Sequence, residues 1–498
     1  MPDITGINQI DSLLVGPDNR WNIDQPVGSA VTVTFSFASE LPTYADPNDP
    51  ENQGFSAFNA AQQEATRTVL TRIASEYNIT FNEVADSATE YGQMRFSNNN
   101  QGEVSSGYAT PPFAVSDDNS GDIYMSNADP DNLSNITLGS RAWSTLVHEI
   151  GHAIGLKHPG NYNAGATAGA AEDPPFLSAT EDHVWYTIMS YVEAPQLQER
   201  SWFGILDVAV LTYLYGKKAV ATGNDTYAYN DADGLQLALI DDASGTDTID
   251  LSVVSLGATL DMRPGSFSSI GPALDGTLAL NTLTIGANVL IENAVGTSAN
   301  DSITGNDANN QLRGGAGDDT IVGGAGIDAA LFSGNKAAYS ITNSNGSLTL
   351  QGLDGNDSLS TIERLFFDDV KVAFDLDANA GLTAKLLGAV AGKDSIANKQ
   401  FVGIGLNALD SGTSYSDLMQ LALNVVLGSD FTNASLVNLL FNNLAGAAPS
   451  SSDLATFVGL IDNGTYTPVS LAILAADNEI NTNNIGLVGL SSAGLEFI

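Results

Sequence analysis

Three of the four histidines in the chain fall in His148-Glu149-Ile150-Gly151-His152-Ala153-Ile154-Gly155-Leu156-Lys157-His158. His148 and His152 are four apart, so on a helix they project from one face, one turn above the other. Two imidazoles so placed can hold one zinc ion. Glu149, beside the first, is better placed to take a proton from water at that metal than to ligate it. Gly155 ends the helix, because glycine accepts the left-handed backbone that reverses the chain. The reversal lets His158 return as third ligand. Three protein ligands and an open fourth position distinguish a catalytic zinc from a closed structural one.

The motif H-E-x-x-H-x-x-G-x-x-H is filled completely, and it resembles that of the metzincin metalloproteases. Thr187-Ile188-Met189-Ser190-Tyr191, with Met189 31 residues past His158, resembles the methionine-containing turn of that family. Together with Gly160 after the third histidine, these residues resemble the serralysin branch. The resemblance implies that Met189 forms a soft, polarizable floor under the imidazoles. It also implies that Tyr191 can sit on the zinc and swing to support the oxyanion. His183 has no place in the motif and is read as structural.

The helix carrying the histidines is expected over Ser140 to Ile154, rich in Ala, Leu, Ile and Trp. Ahead of it, Ile7 to Gly16 reads as a short helix and Val31 to Phe37, alternating and β-branched, as a strand. Phe55 to Tyr77 has helical spacing. Ile79 to Val84, Met94 to Ser97 and Gly121 to Met125 read as further strands. The prolines in Gly107 to Pro112 place that segment at a sheet edge or in a loop. This order resembles the upper half of a serralysin catalytic domain, where an edge strand beside the cleft would bind an extended peptide by backbone pairing. Ile205 to Gly216 is a helix whose L-Y-G ending also resembles serralysins.

The chain has 498 residues, enough for two to four domains, with 58 acidic against 17 basic residues and a net charge of −41. That charge disfavours nucleic acid and anionic membranes as partners and suits a calcium-rich setting. Cysteine is absent, which excludes disulfides, thiol catalysis and a cysteine-based zymogen switch. The first residues, Met1 to Gly6, lack a basic region and an apolar core, so no Sec-type signal is expected. No apolar run approaches the roughly 18–20 residues of a membrane span.

Residues 296–331 repeat in nines, starting at Gly296, Gly305, Gly314 and Gly323. The pattern resembles the calcium-binding RTX nonapeptide G-G-x-G-x-D-x-U-x. The sixth positions are Asp301, Asn310, Asp319 and Asp328, and the eighth are Ile303, Leu312, Ile321 and Ala330. Hard oxygens on neighbouring turns suit calcium, so Asp301, Asp319 and Asp328 are the expected calcium ligands. The first two copies lack the second and fourth glycines. Tyr339 to Asp375 reads as strands. Asp375-Leu376-Asp377-Ala378-Asn379 starts like an EF-hand loop, but Ala380 replaces the turn glycine, so a helix N-terminus is read there. From Leu382 onward the chain reads as six helices, the first over Leu382–Val390 and the last over Val469–Ala476. The tail Gly494 to Ile498 resembles type I secretion signals.

The expected architecture is multidomain. An α+β metzincin catalytic domain spans 1–220. A short parallel β-roll of RTX repeats with flanking strands spans 221–375. An all-α C-terminal domain spans 376–498. The expected function is a secreted zinc endopeptidase with one catalytic Zn2+ and several structural Ca2+ ions. It would act on extracellular proteins or peptides and leave the cell through type I secretion machinery, without a Sec signal. Residues 382–498 would attach to a surface or partner. The alternative is an RTX surface or adhesion protein whose metzincin domain is not catalytic.

Overall fold

The structure is a computed structural model that describes residues 5–46, 52–102, 105–113, 118–162, 173–344 and 346–498. It forms two compact units. The first comprises Met1–Asp247 and Val253–Leu290, the second Thr248–Ser252 and Ile291–Ile498.

The first unit is built on a six-stranded sheet. Val31–Phe37 runs parallel to Ile79–Glu83 on one side and to Met94–Asn99 on the other. Met94–Asn99 then pairs in parallel with Ile123–Ser126, and Gly107–Ala109 closes that edge antiparallel. The expected edge position of Gly107 is therefore where its strand lies. Met94–Asn99 is central and buried throughout. A helix, Ala60–Glu76, packs in the same core through Ala65, Val69, Leu70 and Ile73. It starts later than the spacing from Phe55 suggests. Asn59 accepts from the amides of Ala61 and Gln62, and Gln62 accepts from Asn59 N–H in return, a capping box that fixes the first turn.

The expected helix over Ile7 to Gly16 is only one turn, Asn8–Asp11. Leu13 and Leu14 are fully buried just beyond it, and Leu14 bridges Leu156. Burying those leucines against the segment that carries His158 outweighs one more turn of a helix too short to be stable alone.

In the second unit the nonapeptides alternate between two parallel ladders. Asn293–Val295, Gln311–Arg313 and Ala329–Leu331 make one. Ser302–Thr304 and Thr320–Val322 make the other. Ile303, Leu312, Ile321 and Ala330 point inward and are buried. The residues after the repeats include the antiparallel pair Ser340–Ser344 and Ser347–Gln351.

The helical region runs from Asn379–Ala391 to Leu487–Ala493, adding Glu479–Asn484 and Leu487–Ala493 to the helices that periodicity indicates. Both are short, and short helices carry a weak periodic signal. Asp375 accepts from Ala380 N–H and pairs with Arg364, as a helix N-terminus does rather than an ion loop. The all-α expectation is corrected at the end of the chain. Leu495–Phe497 is a strand, antiparallel to Lys371–Ala373. The helices thus lie between two neighbouring strands of one sheet, and Ala373 and Leu495 share their core. Glu496 pairs with Lys336 and Lys399 across that edge. Among the described residues, no helix is long and apolar enough to cross a membrane.

Candidate metal centre

The histidine helix spans Arg141–Ala153, with Ser140 capping it through the Trp143 amide. Its apolar face, with Leu146, Val147 and Ile150, is buried in the core of the unit. That leaves His148, Glu149 and His152 toward the cleft. Gly155 has φ +110°, and a Cβ there would meet the Asn19 carbonyl. Leu156 N–H returns to Gly151 O and Lys157 N–H is held by Leu13 O. These bonds bring His158 to face the two helix histidines.

The three Nε2 atoms converge. His158 Nε2 lies 3.2 Å from that of His148 and 3.1 Å from that of His152. His148 Nδ1 lies 2.8 Å from Ile188 O, and His152 Nδ1 lies 2.9 Å from Leu156 O. A carbonyl only accepts, so each of these Nδ1 atoms carries the proton and each Nε2 presents a lone pair. Zinc–nitrogen bonds of about 2.0–2.1 Å in a tetrahedron put the nitrogens roughly 3.3 Å apart. The residues therefore fit such an ion. Burial also holds the imidazoles neutral, as ligation requires: His148 is pushed down to about 4, and His152 and His158 well below their ordinary value.

Glu149 is buried, and its Oε2 has no hydrogen-bond partner. Burial alone raises its carboxyl to about 8. It faces the edge strand: a Cβ on Gly107 would come within 2.9 Å of Glu149 Cγ. Both line a cleft of about 770 Å³ with His148, Ile188, Tyr191 and Arg200.

Met189 is fully buried beneath the helix, where a Cβ on Gly151 would lie 2.9 Å from its sulfur. Gly151, between the two helix histidines, makes the room. Tyr191 is 44% exposed, with its ring 4.6 Å from that of His158 and 6.0 Å from that of His148. His183 stacks on Trp185 at 3.9 Å, outside the cluster.

Three groups around the centre escaped the sequence reading. Asp207, on the helix Ile205–Tyr215, is fully buried and accepts from Thr187 Oγ1, Ile188 N–H and Gly204 N–H. It ties down the turn whose Ile188 carbonyl orients His148. Burial raises its carboxyl to about 6. Arg200, also buried, donates to Val184 O and Trp185 O. Tyr162 stacks on Tyr191 at 4.9 Å, donates to Asp182 Oδ1 at 2.5 Å and accepts from Tyr191 N–H. A lone acid in an apolar helix and a tyrosine four past the third histidine were the available signals.

Among the described residues, one further group brings acidic oxygens within 4.8 Å: Asp225, Asp242 and Asp247. Asp301, Asp319 and Asp328 do not form such a group. They divide between the two ladders, with Asp301 N–H donating to Asp319 Oδ1 in one and Asn310 N–H to Asp328 Oδ1 in the other. Burial first, then neighbouring carboxylates, raise Asp319 and Asp328 to about 7 each.

Convergent histidines with an acid beside them can hold a metal ion and place a base next to its open position. The chain's relatives point the same way. A family model described as Peptidase M10 serralysin C terminal matches residues 210–408. The chain is 31% identical over 320 residues to Serralysin of Proteus mirabilis, a match covering 57% of this chain and 62% of that protein. It is 30% identical over 313 residues to Serralysin G of Dickeya chrysanthemi, covering 57% and 61%. It is 28% identical over 299 residues to Metallopeptidase AprA of Pseudomonas marginalis, covering 55% and 60%. The matches thus span 60–62% of these three relatives.

Proposed function

We propose that the chain is a secreted, zinc-dependent endopeptidase of serralysin type. The observation that carries this reading is the convergence of three imidazole Nε2 atoms beside a buried, unpartnered carboxylate oxygen. His148, His152 and His158 would hold the ion. Bound there, zinc would polarise the scissile carbonyl and acidify the attacking water. An extended substrate pairs along the edge strand Gly107–Ala109, which brings its backbone past Glu149. Glu149 takes a proton from the attacking water as the oxygen–carbon bond forms. It then hands the proton to the amide nitrogen as the carbon–nitrogen bond breaks. Tyr191 donates its hydroxyl hydrogen bond to the developing oxyanion.

The partition into residues 1–220, 221–375 and 376–498 belongs to this reading, as do calcium at Asp301, Asp319 and Asp328, export by a type I route, and partner or surface attachment through 382–498. The deciding experiment is casein hydrolysis by the wild type and Glu149→Gln, each with zinc content measured. Hydrolysis that stops in chelator and drops about 10²–10⁴-fold in the zinc-loaded variant is expected. Zinc-loaded wild type with no hydrolysis would favour the rival, a calcium-binding surface protein with an inert metzincin domain.

A further inference from the structure

In the repeats, the sixth residue of one turn donates its backbone N–H to the sixth side chain two copies on. Asp301 does so to Asp319 Oδ1 at 2.8 Å and Asn310 to Asp328 Oδ1 at 2.8 Å, each across 18 residues. The relay does not stop with the contiguous copies. Asp319 N–H donates to Asp357 Oδ1 at 3.0 Å, across 38 residues. Asp328 N–H donates to Glu363 Oε2 at 2.9 Å, across 35. The extra length holds the antiparallel pair Ser340–Ser344 and Ser347–Gln351.

Beyond that hairpin, Gly352-Leu353-Asp354-Gly355-Asn356-Asp357-Ser358-Leu359-Ser360 keeps glycine at positions one and four, Asp at six and an apolar residue at eight. Its strand continues the ladder in register: Ile303 pairs with Ile321, and Ile321 with Leu359. Its backbone packs as the repeats do. A Cβ on the fourth-position Gly317 would crowd the fourth-position Ala299 carbonyl, and one on Gly355 would overlap the Gly317 carbonyl oxygen. Gly317 and Gly355 share the same left-handed backbone, φ +124° and +132°. In the other column the carbonyl of Thr361 takes the place that Gly323 fills one turn earlier. Glu363 follows Thr361 by only two positions, and its longer side chain spans the shortened turn to reach Asp328 N–H.

Asp357 is 1% exposed, and its Oδ2 is buried with no hydrogen-bond partner. An ionised oxygen in that position costs free energy unless something binds it. A hard cation with several oxygen ligands does so. We propose that residues 352–357 form a fifth cation-holding turn, and that Asp357 shares with Asp319 a site for a divalent cation of calcium size. This rests on the calcium reading of the repeats. The hairpin hides the turn from a search for contiguous nines.

The test uses the full chain stripped with chelator and titrated with calcium. Asp357→Asn keeps an oxygen for Asp319 N–H and removes the charge. Native mass spectrometry should count one fewer calcium than in wild type. Asp307→Asn, which removes an exposed charge within the repeats, should match wild type. An unchanged count in Asp357→Asn overturns the fifth turn and leaves the repeats' calcium intact. No calcium bound to wild type overturns both. Terbium gives a second readout that needs no change at Asp357. The Tyr339 ring packs against Gly352, so excitation through tyrosine should light an ion in this turn, and Tyr339→Phe should cut that emission. Undiminished emission in Tyr339→Phe would contradict the site.

Discussion

The histidine centre and the carboxylate columns hold their groups in opposite ways. Around the histidines, different elements each fix one ligand. A helix spaces His148 and His152, the turn over Asp207 aims the Ile188 carbonyl at His148, and the Leu13–Leu14 segment holds the chain at Lys157. Met189 fills the space beneath from the core. In the columns Asp319, Asp328 and Asp357 each accept the backbone N–H of the sixth-position residue on the turn before them in the column, and Asp301, at the start, is held by Thr297 of its own turn. Such a stack is quasi-one-dimensional, stable only as the sum of its neighbour terms. A site preorganised by its core should keep its shape without the ion. A stack of buried like charges should not.

The largest effect should come from the preorganised side. Tyr191→Phe removes one oxyanion donor and should lower kcat by about 10²–10³ at most, with KM nearly unchanged. Steady-state kinetics on a peptide, with zinc content verified, checks it. A rise in KM at constant kcat would mean that Tyr191 binds substrate instead.

The columns come next. Asp319→Ala with Asp328→Ala should shift the calcium needed to order residues 296–331 upward by at least about tenfold, the effect of roughly 1.4 kcal/mol. Hydrogen exchange of peptides from the repeats reads this. Peptides from the histidine helix should exchange alike in chelator and calcium. If both sets open together on chelation, the contrast between the two sites is wrong.

The same contrast explains what the sequence could express. The metal ligands sit within one helix, one turn and a short return, so fixed spacing writes them into residues 148–158. The four contiguous repeats are legible for the same reason. Asp207 acts at the centre from a helix far along the chain and Tyr162 from just past the motif, and each is a single residue whose role shows only through its partners. Asp357 escaped because the hairpin Ser340–Gln351 interrupts the period, though its own nine residues keep the motif. The strand at the tail went unread for another reason. Leu495-Glu496-Phe497 has the alternation of an edge strand, but its partner, Lys371–Ala373, lies beyond all the helices between.

A smaller effect sharpens the preorganised side. Tyr162 accepts Tyr191 N–H at 3.3 Å and stacks on its ring. Tyr162→Phe keeps the stacking but loses the bonds to Tyr191 and Asp182. Hydrogen bonds of this kind are worth about 0.5–1.5 kcal/mol, so kcat should fall by no more than about tenfold. The loss should be absent in the Tyr191→Phe background, which a double-mutant cycle would measure. Additive losses would show that Tyr162 acts independently.

The last effect leaves turnover alone and tests whether the scaffold, rather than the centre, sets the pH response of the first unit. Asp122 is 2% exposed, and its Oδ2 accepts from Tyr44 at 2.5 Å and Tyr124 at 3.0 Å. Burial outweighs these bonds and raises the carboxyl from 3.8 to about 7. The folded state therefore holds a proton that the unfolded chain releases near pH 4. With more protons bound when folded, stability falls as pH rises through that window. Arg95, bound to Asp86, offsets part of the cost, whereas Asp86 itself adds to it. The melting temperature of the unit should drop by about 6–12 °C between pH 4 and 7, as for ~3 kcal/mol. Asp122→Asn keeps an acceptor for the two hydroxyls and cannot ionise, so it should flatten that drop. Calorimetry of both proteins over the same window reads the difference. Parallel profiles would mean that Asp122 stays ionised throughout and that the two tyrosines solvate its charge.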